Sequence, residues 1–252
     1  ALARNQLELY LQPVLDLHGS RISGYEALAR WNHPRIGMVP PPAFVGEAER
    51  TGLIGELTRW SLTVALRHLA QLRREGHMVR MNVNLSVVAL QMPGFALQVM
   101  DLLRVWQVPP AALALEVTES ALLADTAETL AVLQELRTLG IGIALDDFGT
   151  GYSSLSYLRN FPFTKVKIDQ SFVREMGERP DSAAIVHAVV GLGRNLGMLT
   201  QAEGIETEEQ RRLLLDEGCD EGQGYLFSPP RPAAEITGLL AAFTRRQGSE
   251  AA

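Results

Sequence analysis

LALEVTESALLADTAETLAVLQELRTLGIGIALDD, residues 113–147, is a strand, a helix and a second strand in order. Leu113–Val117 and Ile141–Leu145 are short apolar runs of strand length. Between them Leu130, Leu133 and Leu136 recur at helical spacing, after an acid-rich start at Asp125 and before a stop at Leu139-Gly140. A helix joining two strands implies a right-handed crossover and a parallel pair. Both strands also run into acids. The first reaches Glu116, with Glu119 three residues on, and the second reaches Asp146-Asp147.

The same grammar extends both ways along the chain. Val79–Leu85, Val166–Ile168 and Met198–Ala202 read as strands, and Leu62, Ala65, Leu66, Leu69 and Leu72 mark a long helix from Glu56 to Arg74. A shorter helical stretch, Pro42–Thr51, precedes it. The beginning differs: Leu7–Leu17, a turn at His18-Gly19-Ser20 and Arg21–Trp31 read as a hairpin. That hairpin, with some seven later strands and helices between them, predicts an α/β fold of the TIM-like (β/α)8 barrel kind. We expect one domain over residues 1–244 and a frayed tail at 245–252.

Composition narrows the partners. The 252 residues carry 29 acidic and 23 basic side chains, a formal charge of −6, which disfavours binding to a nucleic-acid polymer through its phosphates. One cysteine, Cys219, makes neither an internal disulfide nor a multi-cysteine zinc site and suits a reducing, cytoplasmic setting. Met81–Met100 has no formal charge, but polar residues, Pro93 and Gly94 break it into a strand, a loop and a helix start, so no membrane contact is expected from this domain.

In a parallel barrel the C-terminal strand ends share one face. Besides Glu116, Asp146 and Asp147, that places Asn84, Lys167, Asp169 and Glu203 there, with Glu26 from the hairpin's second strand. Crowded carboxylates raise one another's pKa unless a cation intervenes, and oxygen donors with one amide favour Mg²⁺ or Mn²⁺. Two such ions suit phosphoryl transfer. Taken singly, each acid also reads as a helix cap or a surface group. Asp169 reads equally as a ligand or as the cap of a helix beginning at Ser171.

These residues lie in motifs that run in order along nearly the whole chain: Gln12-Pro13, Glu26-Ala-Leu-Ala-Arg30 with Trp31 and His33-Pro34, Asn84-Leu-Ser86, Glu116-Val-Thr-Glu119, Asp146-Asp-Phe-Gly-Thr-Gly-Tyr-Ser-Ser-Leu155, Lys167-Ile-Asp169, Ala202-Glu-Gly-Ile-Glu206 and Gln223-Gly-Tyr-Leu-Phe227. The set resembles the EAL domain family of cyclic di-GMP phosphodiesterases. The resemblance implies a barrel with an antiparallel first strand. It implies Mg²⁺- or Mn²⁺-dependent hydrolysis of cyclic di-GMP to linear pGpG, with two ions activating a water. It implies metal binding by Glu26, Asn84, Glu116, Asp146 and Asp147, completed by Glu203 and Gln223 in part through water. Lys167 matches the lysine beside the attacking water, and Glu119 the acid that fixes the loop starting at Asp147. Gln12, Leu28 and Arg30 match substrate-holding positions. It also implies a homodimer through the 147–155 loop and neighbouring helices.

Arg30 suits a phosphate because its planar fork donates two hydrogen bonds. Lys167 reads either as a base or, preferably, as a positioning cation. His33 reads as part of a turn, and the other histidines lack metal-ligand spacing. Two other readings stay open: a module that binds cyclic di-GMP without turnover, and an enolising barrel enzyme with Lys167 as base. Ala1-Leu-Ala-Arg-Asn-Gln-Leu7 resembles the end of a linker helix, so an N-terminal GGDEF or sensor domain, and membrane attachment of a longer protein, are expected beyond this domain.

Overall fold

β1 (Leu7–Asp16) and β2 (Arg21–His33) form the expected hairpin, in register from Leu7 opposite Trp31 to Asp16 opposite Arg21, with one irregularity after Val14. The structure, a computed structural model, describes residues 2, 6–19, 21–119, 126–149, 160–236 and 238. The expected tail at 245–252 lies outside these residues, as does most of the 147–155 loop beyond Gly149. A short β3 (Gly37–Val39) pairs antiparallel with the far end of β2.

α1 (Pro41–Arg50) and α2 (Ile54–Arg74) follow. Pro41 and Pro42 open α1, where a missing N–H costs nothing. The apolar stripe read from the sequence is the buried face of α2: Leu62, Leu66 and Leu69 are almost wholly inaccessible. β4 (Arg80–Asn84), α3 (Val87–Leu90) and α4 (Phe95–Trp106) come next, resolving Met81–Met100 into a strand and helices. β5 (Leu113–Thr118), α5 (Thr126–Thr138) and β6 (Gly142–Phe148) are the opening unit, and β7 (Lys165–Ile168) and α6 (Gln170–Glu175) follow. α7 (Pro180–Leu196), β8 (Leu199–Ala202), α8 (Glu208–Glu217), β9 (Glu221–Gly222) and β10 (Arg231–Pro232) complete the order.

Eight strands close the barrel in the order β1, β9, β8, β7, β6, β5, β4, β2, with β2 returning to β1. Every pair from β2 round to β9 is parallel, whereas β1 is antiparallel to both of its ring neighbours. The fold is therefore a TIM-like barrel with an antiparallel first strand. The hairpin supplies two of its eight strands, so six later strands suffice where we expected some seven. β3 and β10 pair outside the ring. Apolar residues of the strands and the surrounding helices form the main core, and Phe44, Ala48, Ile54 and Leu57 form a second, smaller cluster where α1 meets the start of α2. Among the described residues no helix is long and apolar enough to cross a membrane.

Candidate active site

The barrel interior is polar toward one end. Glu26 on β2, Asn84 ending β4, Glu116 on β5, Asp146 on β6 and Lys167 on β7 bring their side chains together, joined by Glu203 just after β8 and Gln223 just after β9. At the centre lies the Lys167 ammonium, 1% exposed. Its Nζ stands 2.7 Å from Glu116 Oε2, 2.7 Å from Glu203 Oε1, 3.0 Å from Asp146 Oδ1 and 3.9 Å from Glu26 Oε2. Burial alone would favour neutral Lys167, but the carboxylates of Glu116, Glu203, Glu26 and Asp146 reverse it and hold the pKa well above the usual lysine value.

The acids respond unequally. Burial, reinforced by Glu26 and Asp146, drives Glu116 well above the usual carboxylate range despite Lys167. Burial also pushes Glu203 up to about 8, with Asp146 and Glu26 adding to it against the pull of Lys167. For Glu26, burial acts upward but is outweighed by Lys167, by the amides of Gln223 and Asn84 and by Arg30, so its pKa is lowered. The amides are close: Asn84 Nδ2 donates to Glu26 Oε1 at 2.6 Å, and Gln223 Nε2 to Glu26 Oε2 at 2.6 Å.

Adjacent residues of a regular strand point to opposite faces, so Asp146 and Asp147 would not normally share a site. The β6–β7 register breaks between Leu145 and Phe148, and Asp147 takes φ = 56°, the left-handed region. The Asp147 N–H donates to Asp146 Oδ1 at 3.0 Å. This irregularity gathers oxygens of Asp146, Asp147 and Glu203 within 4.8 Å of one another. Burial, then Asp146 and Asp169, raise the pKa of Asp147. Below the bulge, Gly149 N–H donates to Glu119 Oε2 at 3.3 Å, fastening the start of the loop.

Glycines make the two late corners possible. Gly204, after Glu203, has φ = 67°, and a Cβ there would lie 2.5 Å from Gln170 Cβ. At Gly224, after Gln223, a Cβ would meet the Ile205 backbone oxygen at 2.1 Å. A capping box follows the first corner: Thr207 Oγ1 accepts from Gln210 N–H, and Gln210 Oε1 accepts from Thr207 N–H.

A cavity of about 400 Å³ opens beside the acids, lined by Gln12, Leu28 and Arg30 as well as Glu26, Asp146, Glu203 and Gln223. The three residues expected to hold substrate thus share a wall with the acids. One edge of Arg30 is occupied, with Nη1 donating to Ala29 O at 3.0 Å, and its guanidinium carbon lies 5.8 Å from the Tyr10 ring centre. The wall also includes Gln170, Tyr225 and Pro230, which we did not single out. Asp169 is a cap: Oδ1 accepts from Ser171 N–H at 2.9 Å and from Ser171 Oγ–H at 2.5 Å. His33 Nδ1 accepts from the N–H groups of Arg35 and Ile36, as a turn residue does.

The donor set fits a hard divalent cation. Every candidate ligand offers oxygen, three acids approach one another closely, and Glu116 Oε1 is buried with no hydrogen-bond partner among the described residues. Fold and site together define a TIM-like barrel with an acidic, oxygen-rich centre at its parallel strand ends.

The chain belongs to the EAL domain family, whose model matches residues 1–230. It is 41% identical over 242 residues to the bifunctional diguanylate cyclase/cyclic di-GMP phosphodiesterase MucR of Pseudomonas aeruginosa, covering 96% of this chain and 35% of that relative. Against the cyclic di-GMP phosphodiesterase RocR of the same species it is 39% identical over 235 residues, covering 92% of this chain and 59% of the relative. The solved PaMucR phosphodiesterase in its c-di-GMP complex superposes with a TM-score of 0.89 at 41% identity, covering 94% of this chain and 96% of that one. The chain spans about a third of the length of most curated relatives it matches.

Proposed function

We propose that this domain hydrolyses cyclic di-GMP to linear pGpG in bacterial second-messenger signalling. The observation that carries this is the convergence of Glu26, Glu116, Asp146 and Glu203 on Lys167 beside a cavity walled by Gln12, Leu28 and Arg30. The c-di-GMP complex of a solved relative supports the ligand, and the names of MucR and RocR support the reaction.

Glu26, Glu116, Asp146, Asp147 and Glu203, with the Asn84 carbonyl, would hold Mg²⁺ or Mn²⁺, in a pair on our reading. When bound, such ions neutralise the phosphodiester and make water a better nucleophile near neutral pH. The reaction adds water across one phosphodiester: a new P–O bond forms, the bond from phosphorus to the 3′ oxygen breaks, and that oxygen leaves as a hydroxyl. Lys167 sits among carboxylates that keep it a donor, which suits orienting the attacking water and steadying charge on the phosphoryl oxygens better than taking a proton. Arg30 offers its remaining donors to a phosphate or a base. Glu119 fastens the backbone that continues from Asp147.

We take residues 1–244 as the functional unit, cytoplasmic, with a homodimer formed through the 147–155 loop and neighbouring helices. A GGDEF or sensor domain would precede it in a longer protein. Size-exclusion chromatography with light scattering tests the dimer; a monomer at high micromolar concentration refutes it. Hydrolysis itself is tested by incubating the purified chain with Mg²⁺ and cyclic di-GMP, where formation of pGpG is expected and binding without product would leave only the sensing module.

A further inference from the structure

A line of buried hydrogen bonds runs from the Lys165 ammonium through three glutamine amides to the Ser228 backbone. Lys165 Nζ donates to Gln201 Oε1 at 2.8 Å, Gln201 Nε2 to Gln223 Oε1 at 3.1 Å, Gln223 Nε2 to Gln12 Oε1 at 2.9 Å, and Gln12 Nε2 to the Ser228 backbone oxygen at 3.2 Å. All five residues are buried, and Gln201 is wholly inaccessible. Each end of the line permits one sense only. An ammonium has donors and no acceptor, and a backbone carbonyl accepts and never donates. Lys165 is itself pinned by Glu221 Oε2 at 2.5 Å, and Glu221 Oε1 pairs with Arg80 at 3.2 Å.

We infer that Lys165 and Gln201 are positioning residues that fix which way the Gln223 and Gln12 amides face at the cavity wall. Neither lines the cavity. Gln201 must turn its oxygen to the ammonium, so its NH₂ faces Gln223 and occupies that residue's oxygen. Gln223 is left with two N–H donors for the site, and both are used, on Gln12 Oε1 and on Glu26 Oε2. Reversing Gln223 would set its oxygen against both of those oxygens and its NH₂ against that of Gln201. Two consequences follow for the site. Gln223 presents its NH₂, not its oxygen, to Glu26. Gln12, with its oxygen turned to Gln223 and one N–H spent on Ser228, keeps one N–H for a ligand, which favours an acceptor such as a phosphate, sugar or base oxygen.

Only the choice of ligand rests on the cyclic di-GMP reading. The test compares Gln201→Met, which removes the amide at similar size, with Gln201→Glu, which accepts from both sides and so favours reversal of Gln223. Cyclic di-GMP affinity is measured in Ca²⁺ by calorimetry, on protein shown to be folded by thermal melting. Gln201→Glu should weaken binding at least about tenfold and more than Gln201→Met, since it leaves buried oxygens facing one another. In a Gln223→Leu background, adding Gln201→Glu should cost less than about twofold, because the path is already cut. Equal effects of the two Gln201 variants, or an additive cycle, overturn the inference. A neutron map of the perdeuterated wild type decides the same point without a ligand and without a variant. Deuterium on Gln201 Nε2 toward Gln223, and on Gln223 Nε2 toward Gln12 and Glu26, is expected, and the reverse sense at either residue refutes it. Failure of wild type to bind cyclic di-GMP, with the neutron map as expected, would sink the functional reading and leave the amide line intact.

Discussion

Glu26 takes an amide donor on each oxygen, whereas Glu116 and Asp146 lean mainly on one ammonium. Glu26→Ala or Asp146→Ala should lower hydrolysis at least about a hundredfold, as loss of a key transition-state contact does, while circular dichroism stays native; activity within a few-fold of wild type would remove either residue from the site. Lys167→Met removes the shared partner and leaves four acids, Glu26, Glu116, Asp146 and Glu203, facing one another. Breaking a buried ion pair costs roughly 3–5 kcal/mol, so urea unfolding of the metal-free variant should show a loss of that size, partly recovered by added Mg²⁺. Unchanged stability would mean that Lys167 does not hold the cluster. Glu221 gives a pH signature. Burial opposes its ionisation, but Lys165, Ser23 and Arg80 win, and its pKa is lowered in the fold. A lowered carboxylate stabilises the fold above its unfolded pKa of about 4.3, and that contribution disappears as pH falls through the lower folded value. Wild type should therefore lose more stability than Glu221→Gln between about pH 5 and pH 3, as melting temperatures across that range would report; parallel curves would contradict it.

Strand β6 shows where pattern ends and geometry begins. Ile141-Gly-Ile-Ala-Leu announces a strand that delivers Asp146, but strand alternation turns Asp147 away, and only the bulge with its left-handed residue brings both acids to one place. The strand end named Asp147 as a candidate beside Asp146, but no spacing in the sequence specifies the bulge that lets both serve one site. Lys165 and Gln201 were missed for the opposite reason. Lys165 stands two residues before Lys167 on the same side of β7, a signal that alternation does supply, and Gln201 stands two residues before Glu203, which follows β8. Attention to strand ends passed over it. Leu113–Val117, by contrast, was legible as an apolar run because both faces of a barrel strand are covered, and Val79–Leu85 by its alternation of Val79, Met81, Val83 and Leu85 with polar residues. The corner at Gln223 depends on Gly224. Gly224→Ala sets a Cβ against the Ile205 backbone, and a clash of that kind costs about 1–3 kcal/mol or more. Chemical unfolding should show that loss, with a fall in turnover as Gln223 moves; a neutral change would mean the corner relaxes freely. Glu119→Ala frees Gly149 and should lower turnover without abolishing cation binding. An unchanged rate would detach Glu119 from the chemistry.

At the scale of the molecule, the antiparallel first strand lets the chain open with a hairpin and still close an eight-stranded ring. That device places Gln12, from a strand running the other way, beside Glu26 and Gln223. The net charge of −6 is not spread blandly: several of its acids meet around Lys167, where divalent cations would balance both them and an incoming dianionic dinucleotide. The sequence carried the order of strands and most of the site because strand ends in a parallel barrel share a face, so position along the chain translates directly into position in space. What it could not carry was the sense of each amide and the fit of each corner, which depend on neighbours from other strands. The most direct test is a timed reaction of the purified domain with cyclic di-GMP and Mg²⁺, products separated by chromatography, alongside Asp146→Ala. Steady conversion to linear pGpG, absent in the variant, is the expected result. Cyclic di-GMP recovered intact from a protein that binds it, or product formed equally well by Asp146→Ala, would contradict hydrolysis at this site.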